Sequence, residues 1–168
     1  MQFVKRFSCS FAGACALLGG LACSSEDHNP GSGEKYLGLE KPKHGYQVVN
    51  LGAVVRAGED IEYCEVGELP GAPGEALYVK SIELGNAPFS HHLIMTAALP
   101  GTPADANLRQ HAVGDRIECV SADGAYGQGM IGIHGIQQQY GRLDFPDGIG
   151  RVFTGGQRIV FDYHYLNT

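Results

Sequence analysis

Charge is scarce in this sequence of 168 residues: Asp, Glu, Lys and Arg make up 18% of it, and acids outnumber bases 18 to 12. The bases form no stripe, so nothing would neutralise a phosphate backbone, and nucleic acid is not an expected partner. Long hydrophobic runs are also missing. The apolar stretch from Phe11 to Leu21 is about eleven residues, too short to cross a bilayer. No glycine cluster joins a convincing strand to a helix, which excludes a P-loop or dinucleotide fingerprint, and no repeat or heptad is present. No Cys-x-x-Cys pair occurs, so the common thiolate metal spacing is absent. The length leaves room for one ordinary domain but not for a second catalytic one.

What the chain does have is glycine: 25 residues, roughly twice the usual share, with 8 Pro and 43% hydrophobic residues. That balance favours turn-rich β structure over a helical bundle. Residues 1–22 read as an export signal, with Lys5 and Arg6 as the basic end, the Phe11–Leu21 stretch as the apolar middle, and small residues to close it. Gly20-Leu21-Ala22-Cys23 resembles a bacterial lipobox with Cys23 as the lipidated residue; plain secretion is the alternative. Residues 23–43 then form a flexible polar linker and 44–168 a single domain, exported to the cell envelope and held at a membrane only through lipid. Removing residues 1–22 leaves 10 bases against 18 acids, a net charge of −8.

Of five cysteines, Cys9 and Cys15 fall in the signal and Cys23 at the lipid site, leaving Cys64 and Cys119. In an exported chain two remaining thiols are expected to form a disulfide, whose loop closure would contribute roughly 4 kcal/mol.

Strands are expected at Tyr46–Leu51, Asp60–Val66, Ala76–Leu84, His91–Leu99, Arg116–Val120 and Gln157–Leu166, each rich in β-branched or aromatic residues between Gly, Pro or Asn. This set predicts an all-β, antiparallel, jelly-roll-like sandwich. In the last strand Ile159, Phe161, Tyr163 and Tyr165 alternate with Val160, Asp162, His164 and Leu166, so His164 is expected to point away from the aromatic row. The Gly-rich stretch from Gly124 to Gly156 reads as long loops with one or two strands.

The chemistry rests on histidine. His28, His44 and His111 lie in polar segments and read as surface residues. His91 and His92 open an apolar strand, and His164 lies in another, where an imidazole is unexpected unless bonded or ligating. Adjacent side chains on a regular strand point to opposite faces, so a shared ion requires a twist, bulge or strand end at the pair; otherwise one histidine is core and one exposed. Three imidazoles suit copper or zinc. Regular pairing would place Met95 on the face of His91, and Met130 lies near His134; packing is the expected role of both thioethers. His134 reads as a supporting or structural residue.

The order of His91-His92, Cys119, Phe145-Pro146-Asp147-Gly148-Ile149-Gly150 and Phe161-Asp162-Tyr163-His164-Tyr165 resembles the copper type II, ascorbate-dependent monooxygenases, the family of peptidylglycine and dopamine hydroxylases. The likeness spans about Gln47 to Asn167. It implies that the chain is the first domain, an antiparallel sandwich whose His91, His92 and His164 hold an electron-donating copper, with Cys64 bonded to Cys119. It further implies ascorbate as electron donor and a second copper domain as the oxygen-binding partner, absent from this sequence. Leu93 and Ala98 stand where members carry Met and Cys, implying one disulfide fewer. Two functions are therefore expected: half of a monooxygenase, or a non-catalytic envelope lipoprotein that binds or relays copper. A zinc hydrolase is a distant third, since no acid is evidently placed as a general base.

Overall fold

The computed structural model describes residues 37–49, 53–119 and 127–168. The predicted signal, the lipobox with Cys23, and most of the linker with His28 lie outside these residues. Among the described residues nine strands and one helix follow in order: β1 (Glu59–Glu68), β2 (Ala76–Val79), β3 (Ser81–Gly85), β4 (Ser90–Ala98), α1 (Pro103–Leu108), β5 (Arg116–Ile117), β6 (Met130–Ile136), β7 (Tyr140–Asp144), β8 (Arg151–Thr154) and β9 (Arg158–Asn167).

Strand β9 organises the molecule. Its ten residues pair antiparallel with all of β1 on one side and with β4 on the other, inside a five-stranded sheet of order β5-β1-β9-β4-β6. The alternation read from the sequence is realised: Phe161, Tyr163 and Tyr165 are buried on one face, and His164 lies on the other. Against the aromatic face stand two smaller antiparallel pairs, β2–β8 and β3–β7. Leu93, Met95, Phe161 and Tyr163 from the large sheet meet Val79, Ile82, Leu84 and Phe153 from the small ones in one core. Each such side chain contributes roughly 1.5–3 kcal/mol through burial. The result is the expected single-domain, all-β sandwich.

The opposite face of the large sheet is divided along its length. At one end Val66, Ala98 and Val160 are covered by Ala104 and Leu108 of α1, beside the Cys64–Cys119 disulfide. That pairing, expected from cysteine parity, is present with the Cα atoms 5.2 Å apart. Among the described residues no helix covers the other end of the face, which carries Asp60, Glu62, His92, Asp162 and His164.

Several elements differ from the sequence reading. Tyr46–Val49 forms no strand; Tyr46 and Val48 are exposed, so the alternation there has no paired sheet to serve, and Asn50 and Leu51 lie outside the described residues. Ala76–Leu84 is broken at Lys80 because its halves pair with different partners, β2 with β8 and β3 with β7. The Arg116–Val120 strand shrinks to two residues, and Val120 is not described. The described part of the Gly-rich stretch holds three strands. Gly141 illustrates why glycine is compatible with strand there: a Cβ would run into the Ile136 side chain on β6. Helix α1 was not foreseen, although Thr102 caps it, Pro103 stands in its first turn and Asp105 accepts from Gly101 N–H at 3.1 Å.

Candidate metal centre

The pairing of β4 with β9 is interrupted where the histidines lie. Ser90 stands opposite Tyr165 and His92 opposite His164, so two steps along β4 match one along β9 and His91 is the extra residue of a β-bulge. The geometric demand that adjacent histidines place on a strand is thereby met. Ser90 Oγ donates toward the carbonyls of His92 and His164, at 3.3 and 3.4 Å, and ties the bulge to both strands.

The bulge brings His91, His92 and His164 together, with one ring nitrogen from each lying within 4.8 Å of the others. Ring centroids are 4.9 Å apart for His91 and His164, 5.1 Å for His92 and His164, and 5.4 Å for the adjacent pair. His91 is exposed and the other two are half-buried, so the cluster opens to solvent on one side.

Carboxylates sit against one ring nitrogen of His92 and one of His164. His164 Nε2 lies 2.6 Å from Asp60 Oδ1, and His92 Nε2 lies 3.2 Å from Asp162 Oδ1 and 3.8 Å from Glu62 Oε1. An ionised carboxylate only accepts, so both Nε2 atoms carry protons, and in the neutral imidazoles the lone pair is on Nδ1. This is the carboxylate–histidine arrangement that orients metal-binding imidazoles. His91 Nδ1 sits 3.2 Å from His164 Nδ1. Two nitrogens each about 2.0 Å from one ion in a tetrahedral arrangement lie roughly 3.3 Å apart, so this pair fits a metal with little movement. With His164 Nδ1 as acceptor, His91 Nδ1 supplies the proton between them, and a cation bound by both would displace that proton.

Asp162 is buried, 3% exposed, and its Oδ1 also lies 3.5 Å from Cys119 Sγ. The carboxylate beside His92 is therefore backed by the disulfide. Cys64, Cys119 and Asp162 form a second close group, but the two sulfurs are bonded to each other and are not free ligands.

Other sequence-selected residues are elsewhere. Met95 is in the core beside Phe161, since β4 beyond the bulge sends Leu93 and Met95 inward and His92 outward. Met130 packs near the disulfide. Both thioethers serve packing. His134 on β6 buries Nε2 without a hydrogen-bond partner among the described residues, and desolvation pushes its pKa below the usual histidine value. His44 is exposed and His111 half-buried, neither within the cluster. Asp60, Glu62 and Asp162 were not singled out from the sequence. Their alternation with the core residues of β1 and β9 was visible, but the register that sets Glu62 against His164 was not.

No protein-family model, curated protein or solved structure matches this chain.

Proposed function

We propose that this chain is a copper-binding, electron-donating domain of the ascorbate-dependent monooxygenase type, with His91, His92 and His164 as the copper ligands. The observation that carries the reading is the bulge at His91, which turns two adjacent histidines toward a third while carboxylates occupy the Nε2 atoms of His92 and His164. A copper ion held there would take one electron from ascorbate and pass it on. The chain's own residues orient the imidazoles, supply anionic charge beside them and leave His91 open to solvent for an external donor. Asp60 and Asp162 accept from imidazoles, which is a ligand-orienting arrangement rather than the free general base that zinc-dependent hydrolysis would use. Hydroxylation would require a second copper domain or chain as partner. Export to the bacterial envelope, with a lipid on Cys23, belongs to the same proposal.

The exposure of His91 also favours a second reading, a non-catalytic lipoprotein that binds or relays copper. Offering copper and zinc together, then measuring metal content by mass spectrometry and electron paramagnetic resonance, tests the ligand set. One copper per chain with a nitrogen-rich type II spectrum is expected, with loss of stoichiometry in His164→Ala and none in His111→Ala. Equal effects of the two variants, or preferential zinc loading, would overturn it. Product formation with ascorbate and an added second domain separates the monooxygenase reading from the relay.

A further inference from the structure

A cleft of about 850 Å³ lies on the outer face of the second layer of the sandwich. Its floor is the solvent side of β2, β3 and β7, and its wall is the segment 38–46, which crosses them. Leu37 and Leu39 hold that segment in place against Gly85, where a Cβ would come within 3.1 Å of the Leu37 carbonyl and 3.2 Å of Leu39 Cγ. The volume is within the roughly 300–1,000 Å³ of sites that take small organic molecules.

The described tyrosines are sorted by this cleft. Tyr63, Tyr163 and Tyr165 belong to the core, whereas Tyr46, Tyr78 and Tyr140 are 43%, 80% and 45% exposed. Those three are the exposed tyrosines among the described residues, and all of them line the cleft. A tyrosine left in water costs the burial of its ring, and it offers a rigid, amphipathic face at low entropy cost when a ligand covers it. Between them the floor carries charged side chains. Arg142 is paired with Glu83 on β3 and with Asp144, at 2.6 Å from Nε, which fixes its planar fork beside Tyr140. Ser81 adds a hydroxyl.

This combination selects the ligand chemistry. A lipid or other apolar ligand would desolvate the Glu83–Arg142 pair without replacing its hydrogen bonds. The lining carries Lys41, Lys43, Lys80 and Arg142 against Glu40 and Glu83, but Lys80 is paired with Asp147 and Arg142 with Glu83 and Asp144, so a phosphodiester polymer would have to displace carboxylates from two of these four cations. A sugar ring presents an apolar C–H face for an aromatic side chain and a rim of hydroxyls that both donate and accept. We infer that this cleft is a saccharide-binding site, in which Tyr46, Tyr78 and Tyr140 stack on sugar rings while Ser81, Glu83 and Arg142 hydrogen-bond to their hydroxyls. The site lies on the face of the sandwich opposite the histidines and does not depend on the copper reading.

The test is calorimetric and saturation-transfer titration of the full chain with cellohexaose, chitohexaose, xylohexaose and maltohexaose, with inorganic polyphosphate as the anionic comparison. At least one oligosaccharide is expected to bind. Tyr78→Ala should weaken it about tenfold while Tyr78→Phe, which keeps the ring, retains most of the affinity. Tyr78 is exposed, so folding is expected to survive, and an unchanged circular dichroism spectrum and copper stoichiometry verify this. Absence of binding by all four sugars, binding undiminished in Tyr78→Ala, or salt-sensitive binding of polyphosphate alone would each overturn the proposal.

Discussion

At the scale of the residue, two carboxylates do related work in different surroundings. Asp162 is buried between His92 and the disulfide, while the Asp60 side chain is 64% exposed and meets His164 at the surface. An anion beside an imidazole ligand favours the more highly charged metal ion, and its influence grows as water is excluded. Asp162→Asn preserves volume and an accepting oxygen but removes the charge. It should weaken copper(II) by about tenfold and raise the reduction potential. Asp60→Asn should do less, because solvent screens it. Chelator competition and potentiometry on the two variants measure both quantities, and equal responses would show that burial of Asp162 is immaterial. These acids were legible as residues on the face of His164, by the alternation of two; their contact with particular imidazoles was not, since it depends on cross-strand register.

The decisive element is the bulge in β4. Alternation alone would have sent His91 and His92 to opposite faces, one toward the core and one outward. The extra residue at His91 shifts the phase, so that Leu93 and Met95 still reach the core while both imidazoles remain outside it. Ser90 Oγ is the side chain that ties this irregularity to β9. Ser90→Ala removes no ligand, yet it should loosen the ligand set and lower copper affinity by about threefold to tenfold, the worth of one neutral hydrogen bond. An unchanged dissociation constant would show that the bulge is held by backbone pairing alone. The same kind of non-local choice explains the division of Ala76–Leu84: its apolar and β-branched residues spell one strand, but the two halves are claimed by β8 and β7. Helix α1 is short and its stability comes from covering the disulfide end of the sheet, so its Thr102-Pro103 start was a weak signal without that context.

At the scale of the whole molecule, the disulfide lies between the helix-covered end and the histidine end of the outer sheet face. It closes 55 residues between β1 and the segment after β5 and stands against Asp162. Replacing both cysteines by serine should lower the free energy of unfolding by about 3–4 kcal/mol. It should also reduce copper affinity, because the support behind Asp162 is altered. Denaturant unfolding of the variant, paired with a copper titration under native conditions, reads the two effects separately; loss of stability with copper affinity intact would uncouple the disulfide from the metal centre. The histidine face and the tyrosine cleft occupy opposite sides of the sandwich, so variants in one should leave binding at the other unchanged.

What the sequence determined by itself is what local chemistry can specify. Glycine content and period-two alternation specify an all-β chain, parity of cysteines specifies the Cys64–Cys119 bond, and the aromatic row of β9 specifies that His164 faces away from the core. Tertiary structure alone decided that His91 bulges, that Glu62 stands opposite His164, that Asp162 is wedged between His92 and a disulfide, and that three tyrosines far apart in sequence share one cleft. The physical reason is common to all four. Side-chain direction along a strand repeats locally every two residues, whereas register and bulges are set between strands, by which pairing buries the aromatic face and satisfies the backbone.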